Sequence, residues 1–406
     1  MKILAICIPN YNRIDKLEKL VFEASKQIIS NDLREYVQIC ISDDFSWVNP
    51  KRLIEKLKVE NPGVEIKFER NTKNEGMDYN FLHSVMMAES EYCWIVGNDD
   101  LISEDGIKKT LEILQKWKGI DILLTPFDIY EEDEKIRGII YPLKERKERL
   151  FNTAVQSQYK ELLLQVEHNS GIFGFLSNVV FKRSKWVEYK TLFMNKMDTL
   201  FIQMYMNIQS LNDGAYLLYS PEKIIKNYAD DDTNNTIKRI CKILFGLDGV
   251  VEYFFEGEEK LHLKRKLVDA YINGVVWNLQ EDTLYKKKVR AINSPKNRIY
   301  AKYFIPFEKR AVFFAEKKLL IYGAGDYGKK VYKELKKYGA KIIGIADSDE
   351  SKQGMKFEEF KILSFKEMIE LYEEQNGYIL VSNHFSLEIM VNVLLNNDVE
   401  RIGIIC

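Results

Sequence analysis

The chain has 406 residues, 46% of them apolar and 30% charged, with a formal net charge of -1. That length allows two or three domains with buried cores, and the composition excludes a disordered chain. The charge balance gives no nucleic-acid footprint. No apolar run is long enough to span a bilayer. The N-terminal segment lacks the basic start and small-residue cleavage site of a signal peptide, so a cytoplasmic location is expected. Cys7, Cys40, Cys93, Cys241 and Cys406 form no Cys-x-x-Cys pair, which argues against a disulfide framework or zinc site.

The first 130 residues alternate strand and helix. Residues 2–8 read as a buried strand, 14–29 as an amphipathic helix and 37–41 as a second strand. Pro50 opens the next helix, and strands follow at 64–68, 92–96 and 121–125, with helices between at 78–88 and from Ser103 to Trp117. This alternation predicts a mostly parallel sheet in an α/β domain. Ligands of such sheets sit beyond the carboxyl ends of the strands. That rule selects the loops 9–13, 42–46 and 97–100.

The stretch Trp94-Ile95-Val96-Gly97-Asn98-Asp99-Asp100 is a strand ending in two carboxylates. Adjacent acids repel unless a cation lies near them, and Mg²⁺ or Mn²⁺ suits such oxygen ligands. A helix N-cap is the plainer reading. Asp43 and Asp44 end the second strand, where a carboxylate accepts from a base or ribose, or closes an Asx turn. Tyr11 is placed to stack on a base and Arg13 to pair with a phosphate; both also suit an ordinary loop.

Together these segments resemble glycosyltransferase family 2, with its GT-A fold. Pro9-Asn10-Tyr11-Asn12-Arg13 matches the opening loop, and Ser42-Asp43-Asp44-Phe45-Ser46 resembles the acidic motif after the second strand. Asn71 and Asn74-Glu75-Gly76, followed by Asp78 and Asn80, resemble the Asn-x-Gly turn. Gly97-Asn98-Asp99-Asp100 corresponds to the Asp-x-Asp segment, with Gly97 where the family usually has its first acid. The variant is similar to bacterial abequosyltransferases, which build surface polysaccharides such as capsule or O-antigen. The resemblance covers about residues 1–235.

It implies a metal-dependent, inverting transfer from a nucleotide-diphosphate sugar, UDP-sugar favoured, to a saccharide acceptor. Pro9, Tyr11, Arg13, Asp43, Asp44, Asn74, Gly76, Asp78, Asn98 and Asp99 would bind the donor, and Asp99 and Asp100 the Mn²⁺ or Mg²⁺. The Gly-, aromatic- and amide-rich run from Gly171 to Asn178 would line the pocket; a structural turn explains it equally. Asp198, opening an apolar helix, would be the base; a plain N-cap is the alternative. Asp230, Asp231 and Asp232 read as a solvated or acceptor loop, and Glu131–Glu134 as a hairpin turn.

Residues 236–315 read as a helical connector. Between Leu284 and Lys318 stand eleven Lys or Arg and two acids, with aromatics interleaved. An interdomain linker fits this composition. So does peripheral contact with the inner membrane face, where an acceptor linked to polyprenyl diphosphate would lie. Residues 316–406 form a small Rossmann-like α/β domain. Gly323, Gly325 and Gly328 make a Gly-x-Gly-x-x-Gly turn, and Asp347 follows at the end of the next strand, suited to a ribose. Tyr332 and Lys336 have a Tyr-x-x-x-Lys spacing but stand on the wrong helix for a short-chain dehydrogenase. The domain suits nucleotide-sugar binding, subunit contact in a homo-oligomer, partner docking, or an empty fold. The rival functions are an NAD(P)-dependent sugar-modifying enzyme centred on this loop and a non-catalytic nucleotide-sugar-binding protein.

Overall fold

The structure, a computed structural model, describes residues 2–130, 135–228, 237–269, 305, 307–382 and 387–405. The acidic runs 131–134 and 230–232 and most of the basic connector fall outside the described residues. Contacts group the chain into two units, Met1–Asp230 with Val250–Lys266, and Asp231–Gly249 with Leu267–Cys406.

The first unit opens with β1 (Lys2–Asn10), α1 (Ile14–Ser30), β2 (Val37–Asp43), α2 (Lys51–Glu60), β3 (Glu65–Arg70), α3 (Met77–Met86) and β4 (Ser90–Ile95). It continues through β5 (Asp100–Ile102), α4 (Gly106–Lys116), β6 (Ile122–Leu124), β7 (Phe127–Tyr130), β8 (Ile136–Ile140), β9 (Arg149–Asn152) and α5 (Gln156–Leu164). Then come β10 (Val179–Lys182), α6 (Arg183–Tyr189), α7 (Ile202–Asn212), β11 (Tyr216–Tyr219) and β12 (Ile225–Tyr228), and the returning segment 250–266 carries the helix Gly257–Leu263. Eight strands form one sheet in the order β3-β2-β1-β4-β10-β6-β11-β9, and a smaller sheet runs β5-β12-β7-β8.

β1, β2, β3 and β4 are parallel, so their carboxyl ends share one edge of the sheet. Burial on both faces explains their continuous apolar runs; Leu4 to Ile8 are fully buried. Leu17, Leu20, Val21, Ala24 and Ile28 bring α1 onto this core. Beyond β4 the sheet is mixed, which departs from a mostly parallel expectation. β10 runs antiparallel between β4 and β6. The reason lies just before it: Ser177 is hydrogen-bonded to Gly97 at the carboxyl end of β4, so the strand that follows must run back.

Helix boundaries differ at two places. α4 begins at Gly106, not at Ser103; Asp105 takes a left-handed φ of 56° and the Gly106 amide bonds the Ser103 carbonyl. Gly is needed there, because a Cβ would lie 2.8 Å from the Ile224 carbonyl oxygen. α7 begins at Ile202, so Asp198 stands before the helix rather than capping it.

The second unit holds β13 (Lys318–Tyr322), β14 (Lys341–Ala346), β15 (Lys356–Phe357), β16 (Phe360–Leu363), β17 (Tyr378–Val381) and β18 (Ile402–Ile404). Their order is β15-β16-β14-β13-β17-β18, parallel except for the β15–β16 pair. The helix Asp326–Lys337 follows the glycine turn directly. Among the described residues no helix is long and apolar enough to cross a membrane.

Candidate functional site

The ends of β1, β2 and β4 are joined by one hydrogen-bond chain. Asn98 Nδ2 donates to Asn10 Oδ1 at 2.7 Å, and Asn10 Nδ2 donates to Asp43 Oδ1 at 2.7 Å. Asn80 on α3 donates to the Asn10 carbonyl and accepts from Ser42 Oγ. All of these side chains are buried. The network fixes the three loops relative to one another before any ligand arrives.

Asp43 and Asp44 are both spent inside this frame. Asp43 is fully buried, accepts from the Ser46 amide and hydroxyl, and pairs with Arg70 at 3.2 Å. Asp44 accepts from Asn71 Nδ2 and the Glu75 amide at 2.8 Å and from the Gly76 amide at 3.0 Å. It thereby closes the 71–76 turn, which Asn74 Oδ1 also ties to the Gly76 amide. Gly76 has φ 96°, a conformation that favours glycine. Pro9 lies within β1, opposite Ser42. Tyr11 is exposed at the rim, with Phe45 and Trp47 also exposed on the facing loop.

The acidic pair is built differently. Asp100 is buried, its Oδ2 accepting from Ser177 Oγ and its Oδ1 from Asn227 Nδ2 at 2.7 Å. Burial first, and the neighbouring Asp99 charge second, push its carboxyl up to about 7; Ser177, Asn227 and Arg13 pull against that rise. Asp99 is partly open and forms an ion pair with the Arg13 guanidinium.

Gly97 is the hinge of this arrangement. An added Cβ would stand 2.8 Å from Asp99 Oδ1 and 3.1 Å from Asp100 Oδ2. Both carboxylates therefore face the space over Gly97, which a side chain would fill. Two converging acids, one held away from full ionisation, make a donor set that fits a hard divalent cation. No cluster of three or more His, Cys, Asp or Glu suited to a metal occurs among the described residues. Two carboxylates would thus suit a cation only if its remaining oxygens came from a substrate and water.

Asp198 lies in an exposed turn with φ 75°, and Leu200 two residues on has φ 70°. Asp78 serves backbone amides far along the chain. It is buried at the start of α3 and accepts from the Leu200 amide at 2.9 Å and the Ile202 amide at 3.4 Å. Ser177 belongs to the run from Gly171 to Asn178 that was expected to line the pocket. Asn227 was not among the expected site residues, and nothing in the sequence marked it.

In the second unit, Gly328 packs its helix against the turn so closely that a Cβ would be 2.0 Å from the Gly323 carbonyl oxygen. Gly323 has φ 115°, and Gly325 is the residue before the helix. Asp347 accepts from the Ala324 amide at 2.7 Å and the Asp349 amide at 2.9 Å, with Lys352 3.3 Å away. Its carboxylate braces the loop. Tyr332 and Lys336 both bind Glu359.

Residues 5–183 match the family model described as Glycosyl transferase family 2, and residues 315–405 match the one described as C2185-like, N-terminal. Abequosyltransferase RfbV of Salmonella typhimurium is 31% identical over 195 residues, covering 45% of this chain and 54% of that relative. The chain spans about half the length of the curated relative it matches. Two solved structures are similar at low identity. TarS 1-349 of S. aureus in complex with UDP is 12% identical, with a TM-score of 0.47 over 77% of this chain and 78% of that one. Mannosyltransferase PcManGT from Pyrobaculum calidifontis in complex with GDP-Man and Mn2+ is 10% identical, with a TM-score of 0.45 over 74% and 83%. The loops that end β1, β2 and β4 all fall inside residues 5–183, the segment that matches the glycosyl transferase family 2 model.

Proposed function

We propose that the first unit is a glycosyltransferase that moves a sugar from a nucleotide-diphosphate donor, UDP-sugar favoured, to a saccharide acceptor in bacterial surface-polysaccharide synthesis. The observation that carries this reading is the convergence of Asp99 and Asp100 over Gly97 inside the family segment. Asp99 and Asp100 would hold Mn²⁺ or Mg²⁺, which when bound supplies positive charge to the departing diphosphate.

The remaining work falls to the chain itself. Tyr11 offers an exposed face to the base. Arg13 is a fork that trades Asp99 for a donor phosphate. Asp198 takes the proton of the acceptor hydroxyl as its oxygen bonds the anomeric carbon and the carbon–phosphate-oxygen bond breaks, inverting that centre. Asp43, Asp44, Asn74, Gly76 and Asn98 serve the donor by shaping the loops. The second unit, residues 316–406 by the sequence boundary, is a non-catalytic module for binding or docking; Asp347 and the Tyr332–Lys336 pair are occupied by neighbours, which disfavours hydride chemistry there. The protein works in the cytoplasm, against the membrane face where a lipid-linked acceptor would lie.

The test is a transfer assay with a panel of nucleotide sugars, reading nucleoside-diphosphate release on saccharide acceptors with Mn²⁺ present. Sugar transfer by the wild type, lost in Asp198→Asn at unchanged donor affinity, supports the reading. Nicotinamide reduction without sugar transfer would replace it with the dehydrogenase alternative.

A further inference from the structure

Two non-glycine residues with positive φ, Asp198 and Leu200, stand in one short turn. Such backbone costs free energy and persists where surroundings over-determine it. Asp78, from far away in the chain, bonds the backbone here through the amides of Leu200 in the turn and Ile202 at the start of α7. Asp78 is 2% exposed. It sits in the first turn of α3, one residue past Met77 and two past the Gly76 that Asp44 anchors. Two residues further along α3, Asn80 donates to the Asn10 carbonyl. A continuous series of hydrogen bonds therefore runs from the loop of β4, through Asn98, Asn10 and Asn80, to the helix turn whose acid grips the Asp198 turn.

We propose that Asp78 is a positioning residue that sets Asp198 against the acceptor by clamping residues 198–202, rather than a donor contact. The inference rests on the reading of Asp198 as the acceptor base. The two side-chain oxygens of the clamp each accept one amide in a buried place, so it holds the turn in a conformation its sequence disfavours. A carboxylate does this better than an amide, whose NH₂ group repels one of the two N–H donors.

The test compares wild type, Asp78→Asn and Asp78→Ala by donor titration calorimetry, steady-state transfer and tryptic cleavage after Lys196. The expected result is a kcat loss of about 10- to 100-fold in Asp78→Ala, since an ångström of misplacement costs that much. Donor affinity stays within about two-fold, as uniform binding is untouched. Asp78→Asn, which keeps one acceptor oxygen, retains more kcat, and cleavage after Lys196 accelerates in the same order. Lost donor affinity with kcat preserved would overturn the proposal and make Asp78 a donor ligand. Unchanged cleavage would overturn it as well, and that arm reads the clamp even if the wild type transfers nothing. If Asp78→Ala does not fold, Asp78→Asn carries both readouts.

Discussion

Arg13 and Asp99 form an ion pair between the loops that end β1 and β4, so the guanidinium holds one oxygen, Oδ2, of a carboxylate that a cation would need. The two charges cancel. On the proposed reading, a donor diphosphate would draw Arg13 away and leave Asp99 for the cation. Arg13→Gln is therefore expected to bind Mn²⁺ alone more tightly than wild type, measured by titration of free Mn²⁺ in the electron paramagnetic resonance signal. The same variant should bind nucleotide sugar roughly 10- to 100-fold more weakly, the size of a lost charge-assisted hydrogen bond. Equal Mn²⁺ binding in both proteins would contradict the exchange.

Gly97 stands where family resemblance suggests an acid, and the geometry explains the glycine. A Cβ there would press on Asp99 Oδ1 and on Asp100 Oδ2, and Asp100 is held by Ser177 and Asn227. Gly97→Ala is expected to cost about 1–2 kcal/mol of stability from overpacking. It should weaken metal-dependent donor binding by about 10-fold or more, as displaced supporting groups do at metal sites. Denaturant melts and donor titration with Mn²⁺ check the two numbers. Unchanged affinity in Gly97→Ala would mean that the space over residue 97 is not where the cation binds.

Much of this site was legible in the sequence because strand order and loop position follow from apolar periodicity. The runs at 2–8, 37–41 and 92–96 became β1, β2 and β4, and their loops do meet. The uses of individual acids were not legible. Asp43 and Asp44 look like ligands in sequence, yet their partners are Asn10, Ser46, Arg70, Asn71 and the 75–76 amides. Those pairings exist only after the chain folds. Asp78 is a sharper case, since Leu200 lies 122 residues away. The reversed β10 was hidden for a similar reason: its direction is set by where Ser177 docks, not by any residue within the strand.

His168 supplies a pH prediction. Burial lowers its pKa from 6.5 to about 4, and its Nδ1 accepts the Ser170 amide at the start of the 169–172 turn. The folded state thus holds a neutral ring that the unfolded chain protonates first. In that window the unfolded state binds more protons, so stability rises with pH. The contribution is complete above about 6.5 and is lost as pH falls toward 4. Asn at this position keeps an acceptor without a titrating ring. Urea melts at neutral pH and at about pH 4.5 should show a smaller acid loss in His168→Asn than in wild type; equal losses would refute this account of His168.

The glycine turn of the second unit has a stringent packing requirement at one residue. Gly328→Ala would set a Cβ 2.0 Å from the Gly323 carbonyl oxygen, a backbone atom with little room to move. The expected cost is about 3 kcal/mol or more, seen as an earlier melting transition. Donor affinity should be unchanged if the nucleotide-sugar site lies within the first unit. A variant that melts like wild type would contradict the packing, and one that loses donor affinity would contradict the assignment of the site.

The most direct measurement is titration calorimetry of nucleotide sugars into the full chain and its Asp99→Ala variant, each with and without Mn²⁺. Wild type is expected to bind one donor far more tightly with the metal, and Asp99→Ala to lose this metal-dependent gain while keeping its fold by circular dichroism. Donor binding indifferent to Mn²⁺, or a gain that survives in Asp99→Ala, would contradict the claim that Asp99 and Asp100 hold the cation for the diphosphate.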